Sequence, residues 1–498
     1  IWGVFILYIG FSVFLNLPFA QKKMASIVSS TLEQILKTEV SVGHISLDIF
    51  RRIIVEDVLL KDKRGNEMIT VSRLSARYEP LSLLEEKITI NSIQLLGFSV
   101  QLNKETPDSD TNIQFLLDAF AQKDSVKKEH NLDLRINSVL IRRGNVSYDV
   151  QSIPETPGKF NPSHIGIQDF EATISVKALR SDSLNATIRR LAFTEKSGLE
   201  LKKMGVRLIA DNNHLTINEF TVQFPNTTIG LDNMEIQFDS LQHLPLMTSD
   251  VDYKGEIKAS LFLTDFSPII PQVKGLSNPI RLQTSFRGQG KNIDLLDLSL
   301  SDNMNLNLQG NASMSDWDAG RNMYLQAQLT DFSINHSGLK YYLNNLTGNV
   351  PPIIERMNYI KFKGATNGFL HDLRVNGKLE TSAGLLNTDF RVKTNDERKR
   401  TYTGQLASNN LNLGKLFDEK KLGKTRFNIE VKGLEMKNHY PEAHIKGIVS
   451  ALDYSNYQYK DIALDGIYKD GGFDGHLSLN DENGYFKIDG MFNLKRTV

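Results

Sequence analysis

The stretch His476–Gly490, HLSLNDENGYFKIDG, decides how this chain is read. Leu477 and Leu479 alternate with polar residues, Asp481, Glu482, Asn483 and Gly484 supply turn chemistry, and a second alternating run closes on Gly490. An apolar side chain at every second position marks a strand with one covered face, because successive side chains point to opposite sides of the pleat. Asn-Gly provides the backbone freedom of a tight turn. The stretch therefore predicts a β-hairpin.

The same sentence of strand, turn, strand and glycine recurs upstream, as in LDLSLSDNMNLNLQG from Leu296. The word LTDFS stands at Leu263–Ser267 and again at Leu329–Ser333, and a looser copy starts at Leu406, where SNNLNLGKLF replaces it. Each copy closes an alternating strand and precedes a segment suited to a short helix. Strands containing TSFRGQG at Thr284, KFKGATNG at Lys361 and IEVKGLE at Ile429 follow in the same order. Start-to-start spacings of 66 and 77 residues predict a repeat of several strands with insertions between copies.

Toward the N-terminus the period is again two: Val40 and Val42, then Ile45, Leu47 and Ile49, then Ile53 and Val55, and, after a shift of parity, Val58 and Leu60. KDKRGNE at Lys61–Glu67 is a turn, and Met68, Thr70 and Ser72 resume. Strands follow at Ile88–Leu102 and Leu132–Val150, sharing the words INSI at Ile90 and INSV at Ile136, an internal echo. Between them NIQFLLDAFAQ, Asn112–Gln122, reads as a short helix, and Ile153–His164 as a proline-rich loop. Further strands are predicted over Ile165–Val176, Leu184–Phe193, Leu199–Ile209, Leu215–Phe224 and Thr228–Phe238.

Before the strands come two helical patterns. Ile1–Ala20 holds no charged residue and is long enough to cross a bilayer, with insertion favoured by about 4–7 kcal/mol. Trp2, Phe5, Tyr8, Phe11 and Leu15 are its candidate anchor residues, and Lys22 and Lys23 stop it. A cleaved signal peptide is the competing reading, although only Ala20 fits a cleavage site. Next, Met24, Ile27, Val28, Leu32, Ile35 and Leu36 form one apolar stripe, predicting an amphipathic helix over residues 21–37 that caps a sheet or lies on a membrane.

Lys+Arg and Asp+Glu each number 58, so the net charge is zero and the basic footprint of a nucleic-acid binder is lacking. The absence of cysteine excludes disulfides and thiolate chemistry. The histidines, among them His44, His214 and His444, form no HExxH arrangement. Gly288 and Gly290 lack a third glycine and a helix, Asp294 and Asp297 read as strand-edge charges, and the pairs Arg51–Arg52 and Arg142–Arg143 read as solvated faces. No metal, cofactor or enzymatic activity is expected.

Strands with one apolar face must cover it, and the predicted helices are few. A closed sandwich, a filled solenoid and a sheet curled into an open trough all satisfy the alternation, and the adjoining copies shift weight toward a continuous curled sheet. The natural lining has one strand parity: Leu261 and Leu263; Ile280, Leu282 and Phe286; Leu298 and Leu300; Leu373, Val375 and Leu379; Phe427, Ile429 and Val431; Leu477 and Leu479.

The combination of anchor, amphipathic helix and the passage TEVSVGHISLDIFRRIIVEDVLLKD at Thr38–Asp62 resembles the AsmA-like family, in its TamB (translocation and assembly module subunit) branch. NLNLGKL at Asn410–Leu416 and INSVLIRRG at Ile136–Gly144 strengthen the likeness, the latter in its Bacteroidota form. The resemblance implies a mostly β protein: a transmembrane helix and short amphipathic helix, then a long curled antiparallel β-sheet, a repeating β-groove with an apolar concave face. The anchor is then 1–20, the N-terminal β region 21–245 and the groove 246–498, in units of about 257–320, 321–400 and 401–498. It further implies a single-pass protein of the bacterial inner membrane, with its bulk in the periplasm, that conducts phospholipids to the outer membrane. An outer-membrane barrel of the Omp85 type is the implied partner, met through a region C-terminal to this sequence. The alternative is an envelope factor assisting insertion of outer-membrane β-barrel proteins.

Overall fold

In the computed structural model the described residues are 10, 13–14, 17–48, 52–79, 87–121, 133–180, 183–239, 247–304, 306–348, 350, 352–395, 399–435, 442–469 and 472–493. They are mostly strand and divide into two compact units. The first comprises Ile1–Glu235 with Leu263–Lys274, and the second Ile236–Phe262 with Gly275–Val498.

The first unit opens on helix α1 (Pro18–Leu36), with proline in its first turn and Lys37 in the left-handed conformation ending it. Among the described residues no helix is long and apolar enough to cross a membrane. Trp2, Phe5, Tyr8, Phe11 and Leu15, and with them nearly all of the expected span, lie outside the described residues, while Pro18–Ala20 belong to α1.

The amphipathic stripe divides in two. Met24, Ala25, Leu32 and Leu36 pack on the sheet, whereas Ile27, Val28 and Ile35 are exposed. The reason lies in what α1 covers. It runs along the outer edge of strand β1 (Val40–Asp48), where Val42 N donates to Ser29 Oγ at 3.0 Å and Val40 N to Glu33 Oε1 at 3.3 Å. Polar helix residues thereby satisfy edge N–H groups that would otherwise recruit another strand.

Strands β2 (Arg52–Lys61), β3 (Glu67–Tyr78) and β4 (Lys87–Lys104) continue antiparallel from β1. Helix α2 (Gln114–Ala121) then places Phe115, Leu116 and Ala119 against the buried cluster of Leu36, Val40, Leu60 and Met68. This crossover makes the next pairing parallel, a departure from the all-antiparallel expectation: β5 (Asp133–Ile136) and β6 (Ser138–Val150) both run parallel to β4. The echoed words lie side by side, with Ile90 opposite Ile136, Ile93 opposite Val139, and Asn137 Nδ2 donating to Asn91 Oδ1 at 3.0 Å.

Strands β7 (His164–Arg180), β8 (Ser183–Glu195), β9 (Glu200–Ala210) and β10 (His214–Gln223) return to antiparallel order, and β11 (Thr228–Gln237) runs over the boundary between the units. At the parity shift between Val55 and Val58, Asp57 has φ 56°, and the register to β1 and β3 is the same on both sides of it, so the neighbouring strands break step together. Gly97 (φ 62°) and Arg143 (φ 55°) continue the line across β4 and β6, and with Asp169 (φ 52°) the register itself shifts between β6, β7 and β8.

Among the described residues of the second unit fourteen strands follow one another without a crossover: β12 (Asp252–Phe262), β13 (Pro279–Gln289), β14 (Asn292–Asp302), β15 (Asn307–Ser315), β16 (Tyr324–Asn335), β17 (Tyr359–Phe369), β18 (Asp372–Thr381), β19 (Gly384–Thr394), β20 (Arg400–Asn412), β21 (Leu422–Glu435), β22 (Glu442–Tyr454), β23 (Tyr457–Lys469), β24 (Gly472–Asp481) and β25 (Gly484–Asn493). Every consecutive pair is antiparallel.

Helices α3 (His336–Thr347) and α4 (Pro352–Glu355) join β16 to β17, and α5 (Leu413–Phe417) joins β20 to β21, four strands later and so at the same end of the strands. In both copies the strand ends on an asparagine that caps the helix. Asn335 Oδ1 accepts from Gly338 N at 2.9 Å and Asn412 Oδ1 from Lys415 N at 3.0 Å. The first LTDFS copy departs from this pattern. Leu263 belongs to a 3-10 turn, Leu263–Phe266, and not to a strand lining, because the Asp265 carboxylate accepts from Asn226 N and Thr227 N (2.9 and 2.7 Å) and holds the segment in the first unit.

Candidate binding face

Directly opposed residues on neighbouring strands share a face, so the register of the second unit fixes which side chains lie together. Leu261 opposes Ile280, Leu282 opposes Leu300, and Leu300 opposes Leu308. The row continues through Phe332, Phe362, Leu379 and Leu386. Farther on, Phe427 opposes Val449, Val449 opposes Ile462, Ile462 opposes Leu479, and Leu479 opposes Phe486. Parallel rows carry Leu373 and Val375 opposite Val392 and Phe390, and Ile429 and Val431 opposite Leu406 and Gly404.

The expected lining residues on these strands thus fall on one face. Phe286 and Leu298 join it beside the bulge in β14, where Asp297 has φ 51°. Leu477 joins it opposite Leu464 and Ile488. Leu263 alone is displaced. Sequence reading missed Leu308, Phe332, Phe362, Leu386, Phe390, Val449, Ile462 and Ile488, all of the same parity. Carrying the register from each turn into the next strand would have found them.

The face has a shallow floor where glycines meet. Gly364 and Gly377 are paired, and a Cβ on either would approach Phe362 Cζ to 2.7 Å, so the tip of the ring lies over both. Tyr402 lies over Gly433 in the same manner. Tyr253 likewise lies against Gly288, so in all three copies the glycine of the repeated strand word is the seat of an aromatic ring.

Cover is supplied at the helical end. Ala383, Leu411 and Leu416 are buried there, with Met357, Leu413 and Phe427 packed against them. Tyr342 Oη donates to Asp302 Oδ2 at 2.5 Å, and burial together with this carboxylate pushes the phenol far above its ordinary value. Along the same face Leu282, Leu300, Leu373, Val375, Leu379, Ile429, Val431 and Leu477 are only half-buried.

The opposite face is charged. Arg374 grips Asp389 through two hydrogen bonds of 2.7 and 2.6 Å, and Arg391 grips Asp372 through two of 2.6 Å. Lys446 and His444 both reach Asp465 at 2.8 Å. Hydrogen bonds from Arg391, Arg374 and Lys446 hold Asp372, Asp389 and Asp465 below the usual carboxylate range. Two wide depressions, of about 740 and 790 Å³, lie mainly on this side, one beside Lys363, Asn376 and Asp389, the other beside Arg374, Arg391 and Glu430. None of the expected apolar residues lines either. The charged face suits water, and the apolar face suits a nonpolar ligand.

No family model, no curated protein and no solved structure matches this chain.

Proposed function

We propose that the second unit is a non-enzymatic carrier surface for phospholipid acyl chains, its continuous apolar face serving as the lining along which they lie. The observation that carries this reading is the apolar row shared by β12–β25, much of it only half-covered. Two acyl chains of about sixteen carbons cost roughly 25 kcal/mol to expose to water, at about 0.8 kcal/mol per methylene. A dry face removes most of that cost, while headgroups remain in solvent. Transport along such a lining is passive, and the charged reverse side keeps the strands soluble.

The family likeness, with an inner-membrane anchor at Ile1–Ala20 and the bulk of the chain in the periplasm, supports phospholipid passage between the two bacterial membranes. The exposed apolar residues of α1, Phe19, Ile27, Val28 and Ile35, suit a membrane surface. An Omp85-type barrel partner belongs to the same proposal.

The test is native mass spectrometry with organic extraction of the chain purified from bacterial cells. Phospholipid is expected to co-purify, and Val375→Asp is expected to release it with the circular dichroism unchanged. A lipid-free wild type, or a folded V375D that retains its lipid, overturns the proposal. Loss of outer-membrane barrel proteins on depletion, before any change in lipid distribution, would favour the assembly role instead.

A further inference from the structure

We propose that the first unit carries a site for a divalent transition cation of the zinc class, built from His164 Nδ1 and the carboxylates of Asp149 and Glu155. The inference is independent of the lipid reading. Asp149 is the penultimate residue of β6 and His164 the first of β7, and the two are directly opposed in the ladder. Glu155 belongs to the loop between them, stiffened by Pro154, Pro157 and Pro162. One ligand atom from each residue lies within 4.8 Å of the other two, and His164 Nδ1 is already 3.0 Å from Asp149 Oδ1. Zinc bonds of about 2.0–2.2 Å in a tetrahedron place ligand atoms roughly 3.3 Å apart. The histidine–aspartate pair has that spacing, and the exposed Glu155 closes by a side-chain swing.

The imidazole is set up for the task. His164 is 5% exposed, and its Nε2 stands 2.7 Å from the Ile153 carbonyl. That contact keeps the proton on Nε2 and aims Nδ1 at the carboxylates, the outer hydrogen bond that orients histidine ligands in metal sites. The loop supporting it is pinned by Val150 N donating to Ser163 O at 2.8 Å, Ile153 N to Val150 O at 3.0 Å and Phe160 N to Pro268 O at 2.9 Å. With no cation, Nδ1 faces Asp149 only as a proton donor. The cation takes that proton's place, the proton passes to solvent, and water completes the coordination.

Two carboxylates favour a dication, and an imidazole nitrogen favours zinc over the all-oxygen shells of calcium and magnesium. Glu155 exchanges its exposed partner Lys196, 3.5 Å away, for the metal. The bound ion clamps β6, the loop and β7 together, so its binding energy appears as stability of the first unit.

The experiment is calorimetric titration of ZnCl2 into the whole chain after removal of metal with EDTA, paired with thermal melts. One zinc per chain and a raised Tm are expected, with affinity at least about tenfold weaker in Glu155→Gln and in Asp149→Asn. Glu155 is exposed, so E155Q retains the fold even where His164→Gln does not. Failure to saturate at one equivalent, unchanged affinity in both variants, or calcium binding as tightly as zinc overturns the proposal.

Discussion

The two units use the same alternating strands and cover them to different extents. In the first, α1 supplies hydrogen-bond partners to the β1 edge, α2 covers a fully buried cluster, and carboxylates accept backbone N–H groups: Asp62 from Arg64 and Asn66, Glu195 from Gly166 and Ser197, Asp265 from Asn226 and Thr227. In the second, among the described residues, fourteen strands succeed one another with α-helices at one end, the apolar face is half-covered, and carboxylates such as Asp372, Asp389 and Asp465 pair with exposed arginines and lysines. Alternation specifies which side chains share a face. Whether that face becomes core or binding surface depends on whether the chain provides an element to lie on it.

The largest effect expected separates core from surface. Met68 is 1% exposed among Leu36, Val40 and Leu60, so Met68→Ala should cost the first unit about 2–5 kcal/mol through lost burial and the cavity left behind. Leu379 is half-buried, and Leu379→Ala should cost the second unit only about 1 kcal/mol. Denaturant-dependent hydrogen exchange, resolved by peptides from each unit, measures both. Equal losses would mean that the second unit's apolar face is a closed core.

A smaller contrast concerns the carboxylates. Thr227 is fully buried, and Asp265→Ala removes the acceptor of its N–H, which should destabilise the first unit by about 1–3 kcal/mol. Arg374→Ala breaks a bidentate but exposed pair, and the same exchange measurement should find little change in the second unit. A large loss in R374A would show that the charged ladder is structural and not only solvating.

Much of this contrast was legible in the sequence, and the remainder was hidden for physical reasons. The strands, the hairpin turns and even the irregular conformation at Asp57 are written in parity, since a left-handed residue inside a strand breaks the alternation. The shared words INSI and INSV announced two equivalent strands, but their parallel pairing required knowing that α2 carries the chain across. The stripe on α1 overstated its buried face, because Ser29 and Glu33, polar by composition, perform the edge contact. Leu263 fits the alternation of β12 and is drawn away by Asp265, a contact with Asn226 and Thr227 far back in the sequence. Asp149, Glu155 and His164 have no motif spacing, and only the β6–β7 register brings them together. Which face lies uncovered is a property of packing, which alternation does not encode.

The smallest expected effect is the response to acid, and salt divides the units there. Burial alone raises the pKa of Asp62, Glu195 and Asp265, but the hydrogen bonds they accept outweigh it and lower each below its ordinary value. Asp372, Asp389 and Asp465 are lowered chiefly by hydrogen bonds from Arg391, Arg374 and Lys446. A depressed carboxylate contributes stability that is fully present above its unfolded pKa, about 4, and is lost as pH falls through the folded value. Both units should therefore become sensitive to pepsin as the pH drops below about 4. At 1 M salt the screening length falls to about 3 Å, which weakens exposed ion pairs and leaves hydrogen bonds to backbone N–H groups in place. The pH dependence of the second unit should flatten in salt while that of the first persists, with cleavage sites mapped to each unit by mass spectrometry. Equal flattening in both would mean that the first unit's carboxylates also act through long-range charge, and the contrast between the two ways of finishing a sheet would not extend to electrostatics.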